Sequence, residues 1–438
     1  MTRVTFIGAG SVEFTRQLVA DILRFPELRD VEFALHDISS ERLDVAIGTA
    51  RQVNERLGGN ATITSSLDRR TALEGADFVI NIVQVGGIEA TKKDLEIPAR
   101  YGLKQDIGDT TGIGGVFRAL RTFPLLTALT ADMREICPNA KLLNYTNPMA
   151  MNVWWLSEVA PDISSVGLCH SVFWTVSDLC ELIGVPLEGT HYRAAGVNHQ
   201  AWLLEWQRDG KDLYPLLRER ILADPELQRR VRVEMYQRFG FYPTETSEHS
   251  AEYLSWFLRS ESQIERFRLE PLVYIGISEE NVAEFQQAKQ ALADGTPLEL
   301  SDEVAEYAPQ VIHSIVTGTE RIIHANVPNA GYIDNLPQGA AVEVPATVNA
   351  DGITPHAVGA LPLQLAAQNR NYLSVAELTV AAAREGNPLL IRQAVLMDPN
   401  ANSTLTPEQI WSLCNDLVDA HGDLLPEELR AHVPANWS

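Results

Sequence analysis

The chain has 438 residues, of which 45% are hydrophobic and 21% charged, and its formal net charge is −23. This composition is ordinary for a globular protein and excludes disorder, collagen-like repeats and disulfide-dense scaffolds as the main state. The 58 acidic residues against 35 lysines and arginines argue against nucleic acids and anionic membranes as partners, because both need a basic face. The length predicts two or three domains.

Three local features predict the compartment. No apolar run approaches the roughly 18 residues of a membrane span. The first residues enter a strand-like run, without the apolar core and small-residue cleavage site of a signal peptide. Four cysteines, Cys137, Cys169, Cys180 and Cys414, are too few for a disulfide framework. We therefore expect a cytoplasmic protein.

Short apolar runs alternate with amphipathic segments in the first part of the chain. The predicted strands are Val4–Gly8, Val31–Leu35, Ala61–Thr64, Asp77–Val83, Lys141–Tyr145 and Ser165–Leu168. Ser39 is expected to cap the helix after the second strand, which runs to about Leu57. Strands that alternate with helices indicate a parallel sheet covered on both faces, and their number fits a doubly wound, Rossmann-like α/β fold.

Helical periodicity dominates from about residue 190 onward. The predicted helices are Leu217–Phe239, Glu279–Ala293, Asp302–Val316, Val375–Glu385 and Pro407–Ala420. Turn residues between two apolar runs predict a strand pair, Ile322–Val327 with Ala341–Val348. The predicted organisation is a doubly wound domain over residues 1–190 and a mainly helical α+β domain over 191–438, an arrangement like that of lactate and malate dehydrogenases.

A glycine-rich turn follows the first strand and opens the first helix. Gly8 permits a tight turn, Gly10 lets the backbone approach a pyrophosphate, and Ser11 begins a helix whose N-terminus stabilises phosphate charge. Glu13 replaces the third glycine of the usual fingerprint. Asp37 ends the second strand, where a carboxylate accepts from ribose hydroxyls and repels a 2′-phosphate. These residues predict NAD rather than NADP; the alternative for Asp37 is a turn residue.

A cysteine and two histidines lie at strand ends in the middle of the chain. Cys169 and His170 follow the sixth strand, at the carboxyl edge where doubly wound sheets bind ligands, and His199 comes about 30 residues later. A thiolate and an imidazole together suit a borderline divalent metal ion. On spacing alone, a buried cysteine and a core histidine explain the same residues.

Longer blocks place these residues in a context. They are Gly8-Ala9-Gly10-Ser11, Asn144–Asn152, Cys169-His170-Ser171-Val172, Gly196-Val197-Asn198-His199, Asp334–Gly339 and Val342-Glu343-Val344-Pro345. Jointly they resemble glycoside hydrolase family 4, the NAD- and metal-dependent glycosidases that depart from the two-carboxylate mechanism. The Cys-His-Ser-Val block resembles that of the bacterial melibiose-cleaving α-galactosidases. Phospho-glycosidase members carry a different tetrad, which argues against a 6-phosphorylated substrate.

The resemblance implies a redox-assisted elimination. In the family, NAD takes a hydride from sugar C3, a base removes the C2 proton, the glycosidic oxygen leaves, and water addition and hydride return complete the cycle. The resemblance further implies that Cys169 and His199 bind the metal, with Mn²⁺ expected. His170 is then placed to donate a proton to the leaving oxygen; its alternative is a purely supporting role.

The same resemblance assigns residues to the substrate. Asn147 matches a substrate-contacting asparagine; its alternative is a turn residue before Pro148. Independently of the resemblance, Asp109 precedes a glycine-rich loop that we expect near the nicotinamide, where it either binds sugar hydroxyls or caps the helix that carries Arg118. Arg118 is also predicted to bind the substrate. The C2 base is expected from the stretch that contains Tyr242 and Glu245. We favour Glu245; as an alternative, the acidic residues there form a solvated face.

Three functions remain open at this point. The first is an NAD- and Mn-dependent α-galactosidase, probed by sugar release without net NADH, with α-glucosidase and α-galacturonidase as sibling activities. The second is a hydroxy-acid dehydrogenase of the lactate or malate type, which needs a His-Asp pair and no metal. The third is a non-catalytic NAD sensor, disfavoured by the polar residues at strand ends. The family suggests homodimers or homotetramers, and no nucleic-acid or membrane partner is expected.

Overall fold

The computed structural model describes residues 1–297, 300 and 306–435. Its strands are β1 Arg3–Ile7, β2 Glu32–His36, β3 Thr62–Ser66, β4 Phe78–Asn81, β5 Lys141–Asn144, β6 Ser165–Leu168, β7 Thr190–Val197, β8 Gln200–Arg208, β9 Lys211–Asp212, β10 Tyr242–Pro243, β11 Arg321–Pro328, β12 Ala341–Asn349 and β13 Gly352–Pro355. Its α-helices are α1 Val12–Leu23, α2 Ser40–Arg56, α3 Arg69–Leu73, α4 Gly87–Arg100, α5 Gly112–Ile136, α6 Met149–Val159, α7 Ser171–Ile183, α8 Tyr214–Ala223, α9 Val231–Phe239, α10 Ser247–Glu252, α11 Glu261–Phe267, α12 Val273–Asp294, α13 Tyr307–Thr317, α14 Leu363–Glu385, α15 Pro388–Met397, α16 Pro399–Thr404 and α17 Pro407–His421.

The strands form one continuous sheet. Six parallel strands lie in the order β3-β2-β1-β4-β5-β6, the arrangement of doubly wound dinucleotide-binding folds. β11 pairs antiparallel with β6, and the sheet continues through β12, β7 and β8 to β10. The predicted fold class is confirmed, with a Rossmann-like first half and a mainly helical second half. The domain boundary near residue 190 stays a prediction. Strands from both sides of that residue belong to one continuous sheet.

Local sequence accounts well for the first half. All six predicted strands form, each within two residues of its predicted ends. Ser39 caps α2 as predicted, because its side chain accepts a hydrogen bond from the Arg42 N–H. The central strand β1 buries side chains on both faces: Val4 and Phe6 on one face and Thr5 on the other are fully inaccessible to solvent. This is the pattern of a parallel sheet covered by helices on both sides.

Two helices predicted in the second half of the chain differ from those in the structure. The single helix predicted over Leu217–Phe239 is wrong: α8 ends at Ala223 and α9 begins at Val231. Pro225 follows directly after an extended Asp224, and a residue before proline disfavours helical backbone. The helix predicted from Asp302 begins at Tyr307, and its first predicted residues lie outside the described part of the chain.

Two strand pairs extend the sheet beyond β6. The predicted antiparallel pair, β11 with β12, is confirmed. The hairpin of β7 and β8 was not predicted, because these strands mix polar and apolar residues without clear alternation. This hairpin matters for function, since its two-residue turn holds His199. Within the described residues, no helix is both long and apolar enough to cross a membrane.

Candidate active site

The turn after β1 packs closely against Asp37 and Val83, so that its two glycine positions admit no larger side chain. Gly8 has φ +91°, and a Cβ there would lie 2.9 Å from Val83 Cγ2. A Cβ on Gly10 would lie 2.5 Å from Asp37 Oδ2. α1 begins directly after Ser11, whose side chain makes no capping hydrogen bond to described residues. The first N–H groups of α1, next to a turn that contains two glycines, therefore fit the pyrophosphate of a dinucleotide.

Backbone N–H groups fix Asp37 beside this turn. Its Oδ2 accepts from the Gly10 N–H at 2.8 Å, and its Oδ1 accepts from the Ser39 N–H at 2.9 Å. Arg42 donates to the Gly10 carbonyl at 2.9 Å and lies 4.5 Å above the ring of Phe285 on α12. The Asp37 carboxylate is thus held at the end of β2, where it has acceptor capacity left for a ribose.

A cluster of three ligand-type side chains lies at the carboxyl edge of the sheet. Cys169 Sγ lies 3.4 Å from His199 Nε2, and Glu245 Oε2 lies 3.7 Å from the same nitrogen. The three ligand atoms all lie within 4.8 Å of one another. Sulfur, imidazole and carboxylate donors together suit a borderline divalent ion. The cluster therefore fits a metal ion, with Glu245 joining the two residues that the resemblance implied.

Two members of this metal-type cluster have left-handed backbone. His199 has φ +61° and Glu245 has φ +71°. Non-glycine residues in this region cost about 1–3 kcal/mol and persist only where their surroundings hold them. His199 Nδ1 lies 3.0 Å from Thr110 Oγ1, and the Glu245 N–H donates to Thr175 Oγ1 at 3.1 Å. The fold thus maintains strained backbone to aim these two side chains at Cys169.

A buried polar layer supports the metal-type cluster from behind. Glu343 of β12 is fully buried and lies directly opposite Asn326 of β11 and Gly196 of β7. Asn198, next to His199 in the chain, is fully buried beside Cys169 and Glu343, and its side-chain amide makes no hydrogen bond to described residues. Burial raises the pKa of Glu343 to about 7 and that of the Cys169 thiol to about 12.

The three residues assigned to the substrate meet beside the metal-type cluster. Asn147 Nδ2 donates to Asp109 Oδ2 at 3.0 Å, and Arg118 Nε donates to the Asn147 carbonyl at 3.2 Å. Thr110 Oγ1, which also faces His199, donates to Asp109 Oδ1 at 2.6 Å. The structure therefore brings all three predicted residues together.

The charge state of Asp109 follows from its neighbours. Burial opposes ionisation, but the His249 imidazole, whose Nε2 lies 3.6 Å from Oδ1, and the charges of Arg118 and His199 hold the pKa of Asp109 far below its usual range. The alternative role as a helix cap does not apply, because Thr111 occupies the N-cap position of α5. Asp109 is an ionised acceptor facing the site.

His170 has a carboxylate partner of its own. His170 Nδ1 lies 2.7 Å from Glu306 Oε1, just before α13. Burial works against the charged imidazole, yet this hydrogen bond and the Glu306 charge raise the pKa of His170 to about 9. The ring is therefore protonated at neutral pH, directly beside Cys169 in the chain.

Sequence reasoning missed His249. Its Nδ1 lies 3.7 Å from Glu245 Oε1 and its Nε2 lies 3.6 Å from Asp109 Oδ1. Asp109, His199 and His249 form a second group whose ligand-type atoms lie within 4.8 Å of one another. No helical spacing signals this contact in the sequence, because Glu245 has left-handed backbone and precedes α10, the helix that carries His249.

Two tyrosines also complete the site without any signal in the sequence. The Tyr253 hydroxyl donates to the Asn198 carbonyl at 3.3 Å, next to His199 in the chain. The Tyr274 side chain, at the start of α12, lies near Arg118 and Asp109. Burial raises the pKa of both phenols above the usual value.

Tyr242, by contrast, lies apart from the site. It is 2% exposed in β10, its ring packs 6.1 Å from that of Tyr236, and the Arg232 guanidinium lies 5.3 Å from its ring centre. It belongs to the smaller hydrophobic cluster around β8, α8 and α9. The structure does not bring Tyr242 together with the other predicted residues, because β10 pairs it into the sheet edge opposite Leu203.

Fold and site together define a doubly wound α/β enzyme with a dinucleotide-type turn and a metal-type cluster. The family model described as "Family 4 glycosyl hydrolase" matches residues 3–185, and the model of its C-terminal domain matches residues 194–401. The chain belongs to this family and is therefore a glycosidase. The dehydrogenase and sensor alternatives are set aside.

Relatives agree with this assignment. The chain is 39% identical to the alpha-galactosidase of Bacillus subtilis, over 98% of this chain and 100% of that protein. It is 35% identical to the alpha-galactosidase of Rhizobium meliloti, over 98% and 90% of the two chains. The solved structure of a 6-phospho-alpha-glucosidase from gut microorganisms, in complex with NAD and Mn²⁺, shares the fold with a TM-score of 0.84 at 20% identity, covering 97% and 99%.

Proposed function

We propose that this glycosidase is an α-galactosidase that hydrolyses terminal α-galactosides such as melibiose by NAD-dependent oxidation, elimination and addition. The observation that carries the proposal is the meeting of Cys169, His199 and Glu245 beside the ionised Asp109. Two alpha-galactosidases similar over nearly the whole chain support the substrate class. α-Glucosidase and α-galacturonidase activities are the alternatives.

The cofactors proposed are NAD and a divalent metal, Mn²⁺ first. NAD would lie along Gly8, Gly10, Ser11 and Asp37, and the metal would be held by Cys169 and His199, with Glu245 in reach. Bound there, NAD supplies a hydride acceptor and the metal supplies positive charge that stabilises oxyanions on the sugar. The related structure that contains both supports this pairing.

Hydrogen-bonding residues would orient the sugar. Asp109 is ionised and accepts from hydroxyl groups, while Asn147 offers an amide that can both donate and accept. Arg118 holds the Asn147 backbone through its carbonyl, which keeps the amide beside Asp109. These contacts fix the sugar relative to the metal-type cluster, which is the positioning part of catalysis.

Two residues would move protons. His170 carries a proton at neutral pH and is the donor for the leaving glycosidic oxygen. Burial opposes the charge of Glu245, but His199, His249 and other cations lower its pKa, so that it is an unprotonated base for the C2 proton. Tyr253 is the second candidate for the base, since its hydroxyl lies beside the chain segment of His199.

Paired variants distinguish the two bases. Glu245→Gln is expected to lower kcat by at least about a hundredfold, the usual contribution of a positioned base, and Tyr253→Phe by much less. Glu248→Gln, on α10 between Glu245 and Tyr253, is the control. The Mn²⁺ affinity of Glu245→Gln distinguishes the two roles of Glu245: it should be unchanged if Glu245 is only a base, and lower if Glu245 is a metal ligand. A larger kcat loss in Tyr253→Phe than in Glu245→Gln would transfer the role to Tyr253.

Asp37 is expected to select the cofactor. Its carboxylate, held by Gly10 and Ser39, occupies the end of β2 and repels a 2′-phosphate. Titration calorimetry should show NAD binding at least about tenfold tighter than NADP, roughly 1.4 kcal/mol. Asp37→Ser should reduce that ratio. Equal dissociation constants in the unaltered protein would remove Asp37 from the site.

A substrate panel tests the function itself. With NAD and MnCl₂ under reducing conditions, p-nitrophenyl α-galactoside should be cleaved without net NADH, and the β-anomer left intact. Faster cleavage of the α-glucoside or α-galacturonide would select a sibling activity. NADH accumulation from a hydroxy acid without metal would contradict the glycosidase proposal.

Quaternary state and location complete the proposal. We propose a homodimer or homotetramer that acts in the cytoplasm, on the family resemblance and on the sparse, unpaired cysteines. Light scattering coupled to size-exclusion chromatography should give two or four times the monomer mass of 48.5 kDa. A single-chain mass would contradict it.

A further inference from the structure

The loop between α4 and α5 carries Asp109 and is buried along most of its length. Residues 105–111 are all buried. Backbone N–H and C=O groups in such a loop have little access to water and need partners within the protein. Leu272 N–H donates to the Gln105 carbonyl at 2.8 Å, and Tyr274 N–H donates to the Asp106 carbonyl at 3.1 Å. The start of α12 therefore holds two of the loop's carbonyl groups.

A single carboxyl group holds the N–H side of the same loop. Glu252 Oε1 accepts from the N–H groups of Asp106 at 2.8 Å, Ile107 at 2.9 Å and Gly108 at 2.9 Å, and Oε2 accepts from Gly108 at 3.1 Å. Successive N–H groups that converge in this way form a concave nest for an acceptor oxygen. Glu252 is 3% exposed and lies 144 residues from Gly108 in the chain.

The helix that supplies Glu252 also contacts Asp109 itself. His249 lies one turn earlier on α10, with its Nε2 3.6 Å from Asp109 Oδ1. α10 begins just after Glu245, whose Oε1 lies 3.7 Å from His249 Nδ1. α10 therefore contributes two residues here: Glu252 binds the backbone of the Asp109 loop, and His249 lies beside the Asp109 carboxylate. The proposed base, Glu245, lies just before this helix.

We propose that Glu252 is a positioning residue for substrate recognition: by binding three successive N–H groups of the loop, it sets Asp109 in the orientation that faces the sugar. The inference rests on the proposed role of Asp109 in binding sugar hydroxyls. Loss of the acceptor would leave three buried N–H groups unpaired, and the loop would rearrange to reach water.

The contacts of Glu252 indicate which variant preserves this function. Burial, and then the nearby Asp106 carboxylate, raise the pKa of Glu252 to about 8. A glutamine keeps an oxygen that can accept from the N–H groups of Asp106, Ile107 and Gly108, as Oε1 does, and loses only the longer contact of Oε2 with Gly108. Glu252→Gln should therefore retain the loop, whereas Glu252→Ala should release it.

Amide hydrogen exchange tests the contact directly and needs no activity. Peptides that cover residues 105–109 should exchange at least tenfold faster in Glu252→Ala than in the unaltered protein, and nearly normally in Glu252→Gln. Glu265→Gln, an exposed carboxylate on the neighbouring α11, is the matched control. If Glu252→Ala does not fold, Glu252→Asp, which shortens the reach by one methylene, replaces it.

Kinetics then test the role in recognition. Glu252→Ala or Glu252→Asp should raise KM for p-nitrophenyl α-galactoside at least tenfold, with a smaller change in kcat and an unchanged NAD dissociation constant. Glu252→Gln should restore KM to near normal. Unchanged exchange, or faster exchange with unchanged KM, overturns the proposal. An unaltered protein that cleaves no glycoside is a failure of the proposed function, and the exchange data still report whether Glu252 holds the loop.

Discussion

Cys169→Ser is expected to lower metal-dependent turnover by about a thousandfold or more, equivalent to roughly 4 kcal/mol of transition-state stabilisation. A serine hydroxyl stays protonated near pH 7, so it is a far weaker ligand than a thiolate beside His199 and Glu245. The NAD dissociation constant should change less than twofold, because the glycine turn and Asp37 make no described contact with Cys169.

Three measurements complete this test: turnover with added MnCl₂, Mn²⁺ binding by electron paramagnetic resonance of the free ion, and NAD affinity. Cys137→Ser replaces a buried thiol at the end of α5 and should leave all three nearly unchanged. Oxidation of Cys169 by air should mimic the serine variant and be reversed by a thiol while it remains at the sulfenic acid or disulfide stage. Full activity of Cys169→Ser without added metal would exclude the metal site.

The second large effect is isotopic. Turnover of an α-galactoside in D₂O is expected to place deuterium at C2 of the released sugar, because the base removes that proton before the glycosidic bond breaks and solvent reaches the base. Conventional two-carboxylate hydrolysis touches neither the C2–H nor the C3–H bond. Proton NMR or mass spectrometry of the product measures the label directly.

A metal-independent two-carboxylate α-galactosidase, run in parallel, should give unlabelled product. Substrate deuterated at C2 or C3 should show a primary isotope effect wherever either step limits the rate. A base shielded from solvent would return the original proton, yet still show the C2 isotope effect. Absence of both the label and the isotope effect would contradict the elimination route and leave the family assignment standing.

Particular elements show how much of the secondary structure local sequence predicts. The strand β6, Ser165–Leu168, was predicted with both ends correct, and the cap at Ser39 was predicted with its partner helix. In both cases the information lies in a few adjacent residues: apolar runs that end at polar turns, and a hydroxyl before an amphipathic segment. The helix predicted across Pro225 is wrong, because apolar periodicity continues through a position whose proline disfavours helical backbone at Asp224.

The residues of the site likewise include some that the sequence predicts and others that only the structure distinguishes. Cys169, His199 and Asn147 belong to blocks that resemble the family, and the structure brings Asn147 to Asp109 and Cys169 to His199. Tyr242 and Glu245 are three residues apart, and sequence alone ranked them by preference only. The structure separates them: β10 holds Tyr242 against Leu203, whereas the left-handed backbone of Glu245 turns its carboxylate toward His199.

The amino-acid sequence by itself determined the doubly wound fold, the dinucleotide turn and the family, because each is written in local periodicity or in contiguous blocks. Only the tertiary structure decided that His249 and Glu252 converge on the loop of Asp109. These residues lie more than 100 positions from that loop, and no local pattern encodes which distant N–H groups a buried carboxyl accepts from. The reason is physical: a buried loop must satisfy its backbone polar groups, and which side chain does so depends on how the elements pack.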